Sequence, residues 1–168
     1  MFGFGKQKIG CQDFIELFYD FAHQVGFEAV EHSPQVYEHY FPGIDRNIIE
    51  TERFLFIIWA LDLKLSQLNW DKRQEIIVGL LMKYLKKIGK LDGPWQPESV
   101  TPLRNKHKEY YEALGTGKKF SLENKFIRNI FGTETVPENE RRVPAMSENM
   151  QEIMAVMDRD FTGKYKVV

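Results

Sequence analysis

Cysteine is nearly absent from this sequence, which has one, Cys11, among 168 residues. A single cysteine cannot form an internal disulfide or a zinc cluster, so neither stabilises the fold. The first ten residues also lack the continuous apolar core of a signal peptide. These absences predict a cytoplasmic protein.

Long hydrophobic runs are missing as well. The longest, Phe54 to Leu61, has eight residues and ends at Asp62, whereas a transmembrane helix needs about 20. The sequence also has no internal repeat and no low-complexity tract. We therefore predict a single domain without a membrane span, in line with the usual size of one domain.

No catalytic, metal-binding or cofactor-binding motif is complete in this sequence, because each partial match lacks residues that the motif requires. Asp158, Asp160 and Thr162 have the spacing of the first ligands of a calcium loop. The bidentate Glu of such a loop would be residue 169, and the seventh and ninth positions are lysines. We predict no cofactor and no metal site, with these three residues as the only metal candidates. A binding protein is favoured over an enzyme.

Helical periodicity, in contrast, is present nearly throughout, because apolar residues recur every three or four positions. We predict an all-α fold, a single-domain bundle of five to seven helices around one central apolar helix. Gly26 is expected to end the first helix, and no strand is predicted. The expected helices cover residues 12–25, 34–40, 46–68, 72–88, 101–114, 121–130 and 148–157.

The distribution of proline and charged residues suggests how the chain is divided into segments. Residues 1–132 are predicted to form the helical bundle core. Residues 133–147, with Pro137 and Pro144 among several charged side chains, have the composition of a linker. Residues 148–168 are predicted to form a C-terminal helix and tail that dock on the same domain.

The helix predicted over residues 46–68 has two contrasting sides. Glu50, Arg53, Lys64 and Gln67 share one side, which we expect to face solvent. Glu52, Trp59, Asp62 and Ser66 lie on the opposite, mostly apolar side, and this set is the candidate pocket. Burying an unpaired carboxylate is costly, so Glu52 and Asp62 each need an explanation.

Three explanations remain open for these two carboxylates. They lie at the edge of the bundle, they form ion pairs with a base such as Arg73 or Arg128, or they line a pocket or a partner interface. Because Glu52 and Asp62 are ten residues apart, about 15 Å separates them along the helix. They cannot act together on one bond as an acid and base pair.

The net charge of −1 hides an asymmetry along the chain. Residues 11–62 contain ten acids and two bases, whereas residues 63–128 contain fourteen bases and seven acids. Either the two parts neutralise each other, or the basic half binds a polyanion such as a nucleic acid. The candidate polyanion-binding residues are Lys83, Lys86, Lys87, Lys90, Arg104, Lys106 and Lys108.

The favoured function is a protein-binding or adaptor module whose partner is another protein. Candidate partner-binding residues are Trp95, in a loop with glycine and proline, and Met150 and Met154, because methionine surfaces adapt to partners. One alternative is polyanion binding through the basic half 83–119. A second alternative is an enzyme or ligand-binding protein with a pocket near Glu52 and Asp62.

Overall fold

A long apolar helix, α4 (Arg46–Gln67), lies at the centre of the fold. Its first turn is capped by Asp45, whose side chain accepts a hydrogen bond of 2.7 Å from the Asn47 amide. Every residue from Phe54 to Leu61 is at most 3% exposed. A helix segment that is buried on all sides must be surrounded by other elements, and among the described residues the elements that pack most extensively on α4 are helical.

The all-α prediction is confirmed in this computed structural model, which describes residues 6–91 and 97–168. Helix α1 continues into α2 through one turn of π-helix, so the two form a single long helix. The elements are β1 (Gln7–Ile9), α1 (Cys11–His23), the π turn (Gln24–Glu28), α2 (Ala29–His32), α3 (Pro34–Tyr40), α4, α5 (Arg73–Lys87), a 3₁₀ turn (Pro97–Val100), α6 (Thr101–Gly115), α7 (Ser121–Phe131), α8 (Arg142–Met157), a second π turn (Asp158–Thr162) and β2 (Tyr165–Val167).

The prediction that Gly26 ends the first helix is wrong. Gly26 lies inside the π turn, where the backbone passes directly over α4. A Cβ atom on Gly26 would come within 3.2 Å of the Phe54 Cα atom, so a larger residue would force the two helices apart. Glycine is there for this close approach rather than to stop the helix.

Helix α8 begins at Arg142, six residues earlier than predicted, and takes in the end of the segment with linker composition. Pro144 does not prevent this, because proline is compatible with the first turn of a helix. Arg142 is 3% exposed and donates hydrogen bonds to the carbonyls of Tyr40 and Pro137. Its guanidinium also lies over the Phe131 ring, 4.9 Å from the centroid.

A two-stranded parallel sheet joins the two ends of the described chain, although no strand was predicted. Gln7 pairs with Tyr165 and Ile9 with Val167. Three-residue strands are too short to leave a recognisable pattern in the sequence. In the parts of the chain that the structure describes, no helix is long and apolar enough to cross a membrane.

Candidate functional site

A groove of about 550 Å³ opens on one side of the bundle, where the first π turn, α3 and α8 meet over α4. We call it the Arg53 groove, after the only residue of α4 that lines it. This volume falls within the range of about 300–1,000 Å³ that is typical of ligand pockets. Its walls are mainly apolar and are formed by Phe21, Val25, Val36, Tyr37, Ile153 and Val156.

The π turn widens the helix at the edge of this groove. Gln24, Val25 and Glu28 all belong to the turn and all line the groove. The Ala29 amide bonds to the Gln24 carbonyl five residues earlier, as expected for a π-helix. Such turns occur frequently at functional sites.

Arg53 is 4% exposed and lies at the floor of the groove. One terminal nitrogen, Nη1, donates a 2.9 Å hydrogen bond to the Asn149 side-chain oxygen of α8. The other, Nη2, donates a 2.9 Å bond to the Val25 carbonyl in the π turn. The guanidinium carbon also lies 5.1 Å from the centre of the Tyr37 ring. The side chain is therefore fixed in place by three elements.

The charge of Arg53 has no counter-ion among residues 6–91 and 97–168. No carboxylate in those ranges comes within 4.0 Å of its guanidinium, and the Nε donor is buried without a partner. A guanidinium has five N–H donors, and a buried charge is normally paired. Burial lowers the pKa of Arg53, but arginine stays charged at physiological pH.

Acidic side chains stand at the mouth of the same groove. Glu28, from the π turn, and Glu152, from α8, both line it. Glu28 approaches His23 at 3.7 Å, and its side chain is 44% exposed. Glu152 is exposed and forms no ion pair with any residue that the structure describes. The groove thus has a buried positive charge at its floor and negative charges near solvent.

The prediction that one side of α4 faces solvent is wrong for Arg53 and Glu50, whereas Gln67 on that side is exposed and Lys64 is half-buried. Glu50 on the same side is 7% exposed and pairs with Arg46 through a short contact. The π turn and α8 cover this side, and neither contact could be inferred from the periodicity of α4. One signal was available, because Arg53 directly precedes the apolar run that begins at Phe54.

No family model, no curated protein and no solved structure matches this chain.

Glu52, one of the candidate pocket residues, lies in a buried hydrogen-bond network. Its carboxylate accepts hydrogen bonds from Tyr110 at 2.5 Å and from Asn129 at 2.8 Å. The Lys106 ammonium is 3.4 Å away. Burial and the nearby carboxylate raise the pKa of Tyr110 well above its usual value. These contacts join α4 to α6 and α7.

Asp62 forms a two-point ion pair with Arg73, one of the two partners considered from the sequence. The Arg73 nitrogens Nε and Nη2 donate at 2.7 and 3.0 Å, and Tyr111 donates to the same carboxylate at 2.8 Å. The hydrogen bonds to Asp62 raise the pKa of Arg73. Arg128 instead pairs with Glu134 at 2.7 Å.

Trp59 and Ser66 complete the candidate pocket set, and the structure does not bring the four into one cavity. Trp59 is 1% exposed and packs between the rings of Tyr110 and Tyr111, with centroids 5.3 and 5.7 Å away. Ser66 is half-buried. Five cavities along the described parts of the chain were compared with this set, and none of them is lined by any of the four.

Most of the candidate polyanion-binding bases have partners within the chain. Lys83 pairs with Glu16, Lys87 contacts His23, and Lys108 lies 3.8 Å from Glu112. Arg104 donates to Gln74 at 2.6 Å, and Lys106 approaches Glu52. Lys86 and Lys90 are exposed and have no side-chain bond to another described residue. Only Lys83, Lys106 and Lys108 of these seven bases have a carboxylate partner among the described residues.

The candidate partner-binding residues lie in different environments. Trp95 falls outside the described residues. Met150 is 8% exposed and packs in the core beneath α8, whereas Met154 is half-buried. The apolar face of α8 is thus covered by the rest of this chain.

The three metal candidates lie in the second π turn. The Asp158 carboxylate accepts hydrogen bonds from Lys64 at 2.8 Å and from Thr162 at 3.2 Å, and Asp160 pairs with Arg159. No group of three or more His, Cys, Asp or Glu side chains among the described residues is arranged to hold a metal ion.

Proposed function

We propose that this chain is a protein-binding module that takes a short segment of a partner protein into the Arg53 groove. The segment is apolar and carries one carboxylate, which pairs with Arg53. The observation that carries the proposal is the buried guanidinium of Arg53 at the floor of the groove, which has no carboxylate of the described chain within 4.0 Å.

Charge complementarity selects this occupant. A buried cation is costly unless it is paired, and a carboxylate matches the geometry of a guanidinium fork. Val36, which is 51% exposed on the groove wall, adds an apolar contact for the same segment. On composition alone, we propose that the encounter takes place in the cytoplasm.

A peptide array tests the proposal directly. Apolar heptapeptides would carry one Asp or Glu, and matched copies would carry Asn or Gln at the same place. We expect the labelled protein to bind acidic peptides and to lose binding at least about tenfold on the amides, because a charge-assisted bond to a buried partner is worth about 1.5–3 kcal/mol.

Two exposed apolar residues provide a matched pair of variants. Val36→Asp places a negative charge on the groove wall and should abolish binding of acidic peptides. Ile48→Asp, at a position 46% exposed in the first turn of α4, should leave binding unchanged. Equal binding by both variants would contradict the proposal. Binding of hexanoate without binding of any peptide would make the occupant a small acid and not a protein.

A further inference from the structure

The charges of the Arg53 groove are ordered from floor to mouth. Arg53 is positive and almost fully buried, whereas Glu28 and Glu152 are negative and lie nearer to solvent. Apolar side chains such as Val25 and Ile153 make up much of the wall around them. A ligand in this groove therefore experiences a positive electrostatic potential at the floor and a negative one near the mouth.

This order creates a problem for a ligand that carries only a carboxylate. On its way to Arg53 the carboxylate passes Glu28 and Glu152, and charges of like sign repel at short range. A cation on the ligand that stops at the height of Glu28 and Glu152 removes this repulsion. Glu152 is suited to bind this cation, because its carboxylate forms no ion pair with a described residue.

We infer that the docked segment carries a basic residue close to its acidic residue, with the acid on Arg53 and the base between Glu28 and Glu152. The inference rests on the proposed function and adds to it a rule for the partner sequence. Two fixed charges of opposite sign also impose one direction on the segment, since the reversed orientation would place like charges together.

The experiment uses three versions of one synthetic peptide and two protein variants. The peptide is apolar, carries one Asp, and has Lys, norleucine or Glu one to four residues away. Glu152→Lys reverses a charge in the groove. Glu148→Lys makes the same change one turn earlier on α8, at an exposed position that does not line the groove. Affinities are measured by calorimetry at low salt.

For the wild-type protein we expect the Lys peptide to bind about three- to tenfold more tightly than the Glu peptide, with norleucine between them, because exposed ion pairs are modest in strength. Glu152→Lys should reverse this order, and Glu148→Lys should preserve it. The differences should shrink in 1 M salt, where the Debye length is about 3 Å.

The outcomes separate the two proposals. Equal affinity for the three peptides, with Val36→Asp still blocking them, would overturn the inference and leave the protein-binding function in place. The same order in Glu148→Lys and Glu152→Lys would also overturn it. If no version of the peptide binds the wild-type protein, the proposed function fails as well.

Discussion

Arg73, at the start of α5, and Arg53, within α4, are both close to the core, but their charges have different partners. Arg73 pairs with Asp62 at 2.7 and 3.0 Å, and Tyr111 completes the cluster. Arg53 has an amide and a carbonyl as acceptors and no carboxylate in the described ranges. In the first arrangement a carboxylate of the fold pairs with the base, whereas in the second the buried charge has only neutral acceptors among the described residues.

Replacing Arg73 by Met should destabilise the protein by about 2 kcal/mol. The Asp62 carboxylate would stay buried without its cation, a change that costs about 3–5 kcal/mol in fully buried pairs. Tyr111 and partial solvent access to Arg73 reduce that figure. Urea unfolding at pH 7 measures the change. Lys72→Met, which removes an exposed pair with Glu75, should cost less than about 1 kcal/mol.

His107 should make stability depend on pH. Burial lowers its pKa from 6.5 to about 4, so the folded protein holds it neutral while the unfolded chain takes up a proton below pH 6.5. Acidification from pH 7 to 4.5 therefore favours unfolding, by about 2 kcal/mol from this residue.

Urea unfolding of His107→Leu at both pH values isolates this effect from that of the carboxylates. The variant should lose about 2 kcal/mol less than the wild type between pH 7 and 4.5. His39→Leu, at an exposed position, should lose as much as the wild type. An equal pH dependence in all three proteins would show that His107 takes up a proton equally well in the folded state.

At the scale of elements, the first π turn is the feature that builds the groove. Its Val25 carbonyl accepts a hydrogen bond from Arg53, and its Gly26 backbone packs against Phe54. It also lets α1 continue into α2 with Glu28 at the mouth of the groove. The groove therefore depends on a helix that deviates from regular α geometry at one place.

Gly26→Ala should destabilise the protein by about 1–3 kcal/mol, because its Cβ would lie 3.2–3.3 Å from Phe54 atoms, including backbone atoms that cannot move alone. Gly115→Ala, in a helix with no atom within 4 Å of the added Cβ, should instead stabilise it by about 0.5–1 kcal/mol. Thermal unfolding of the two variants gives the comparison. Equal effects would show that the π turn does not press on α4.

The helices could be predicted from the sequence, because a period of 3.6 residues depends on local pattern. The contacts that make the groove could not, since they join residues such as Arg53 and Asn149, 96 positions apart. Because the helical periodicity of α4 carries no information about such distant contacts, it placed Arg53 on the solvent side. The start of α8 was missed because Pro144 and its charged neighbours suggested a linker, although proline fits a first helical turn.

At the scale of the whole molecule, opposite charges from the acidic and basic parts of the chain pair with each other. Glu16 with Lys83, Asp62 with Arg73 and Glu52 with Lys106 are pairs of this kind. They connect α1 to α5 and α4 to α5 and α6. The asymmetry along the sequence is therefore partly cancelled in space, with α4 at the centre.

The amides of Phe54 to Leu61 should be the slowest in the protein to exchange with deuterium. Their residues are buried on all sides of α4, so they become accessible only when the whole domain opens. Native-state exchange followed by NMR would show free energies of opening equal to the global value. Exchange at these sites as fast as in α3, which has no buried residue, would contradict a single cooperative core.

The pairing of β1 with β2 has a consequence for synthesis on the ribosome. Tyr165 is made about 160 residues after Gln7, its partner in the sheet. At rates of about 5–20 residues per second, β1 waits on the order of 10–30 seconds without its partner strand. The helices between them have time to assemble first, so the sheet closes as one of the last steps.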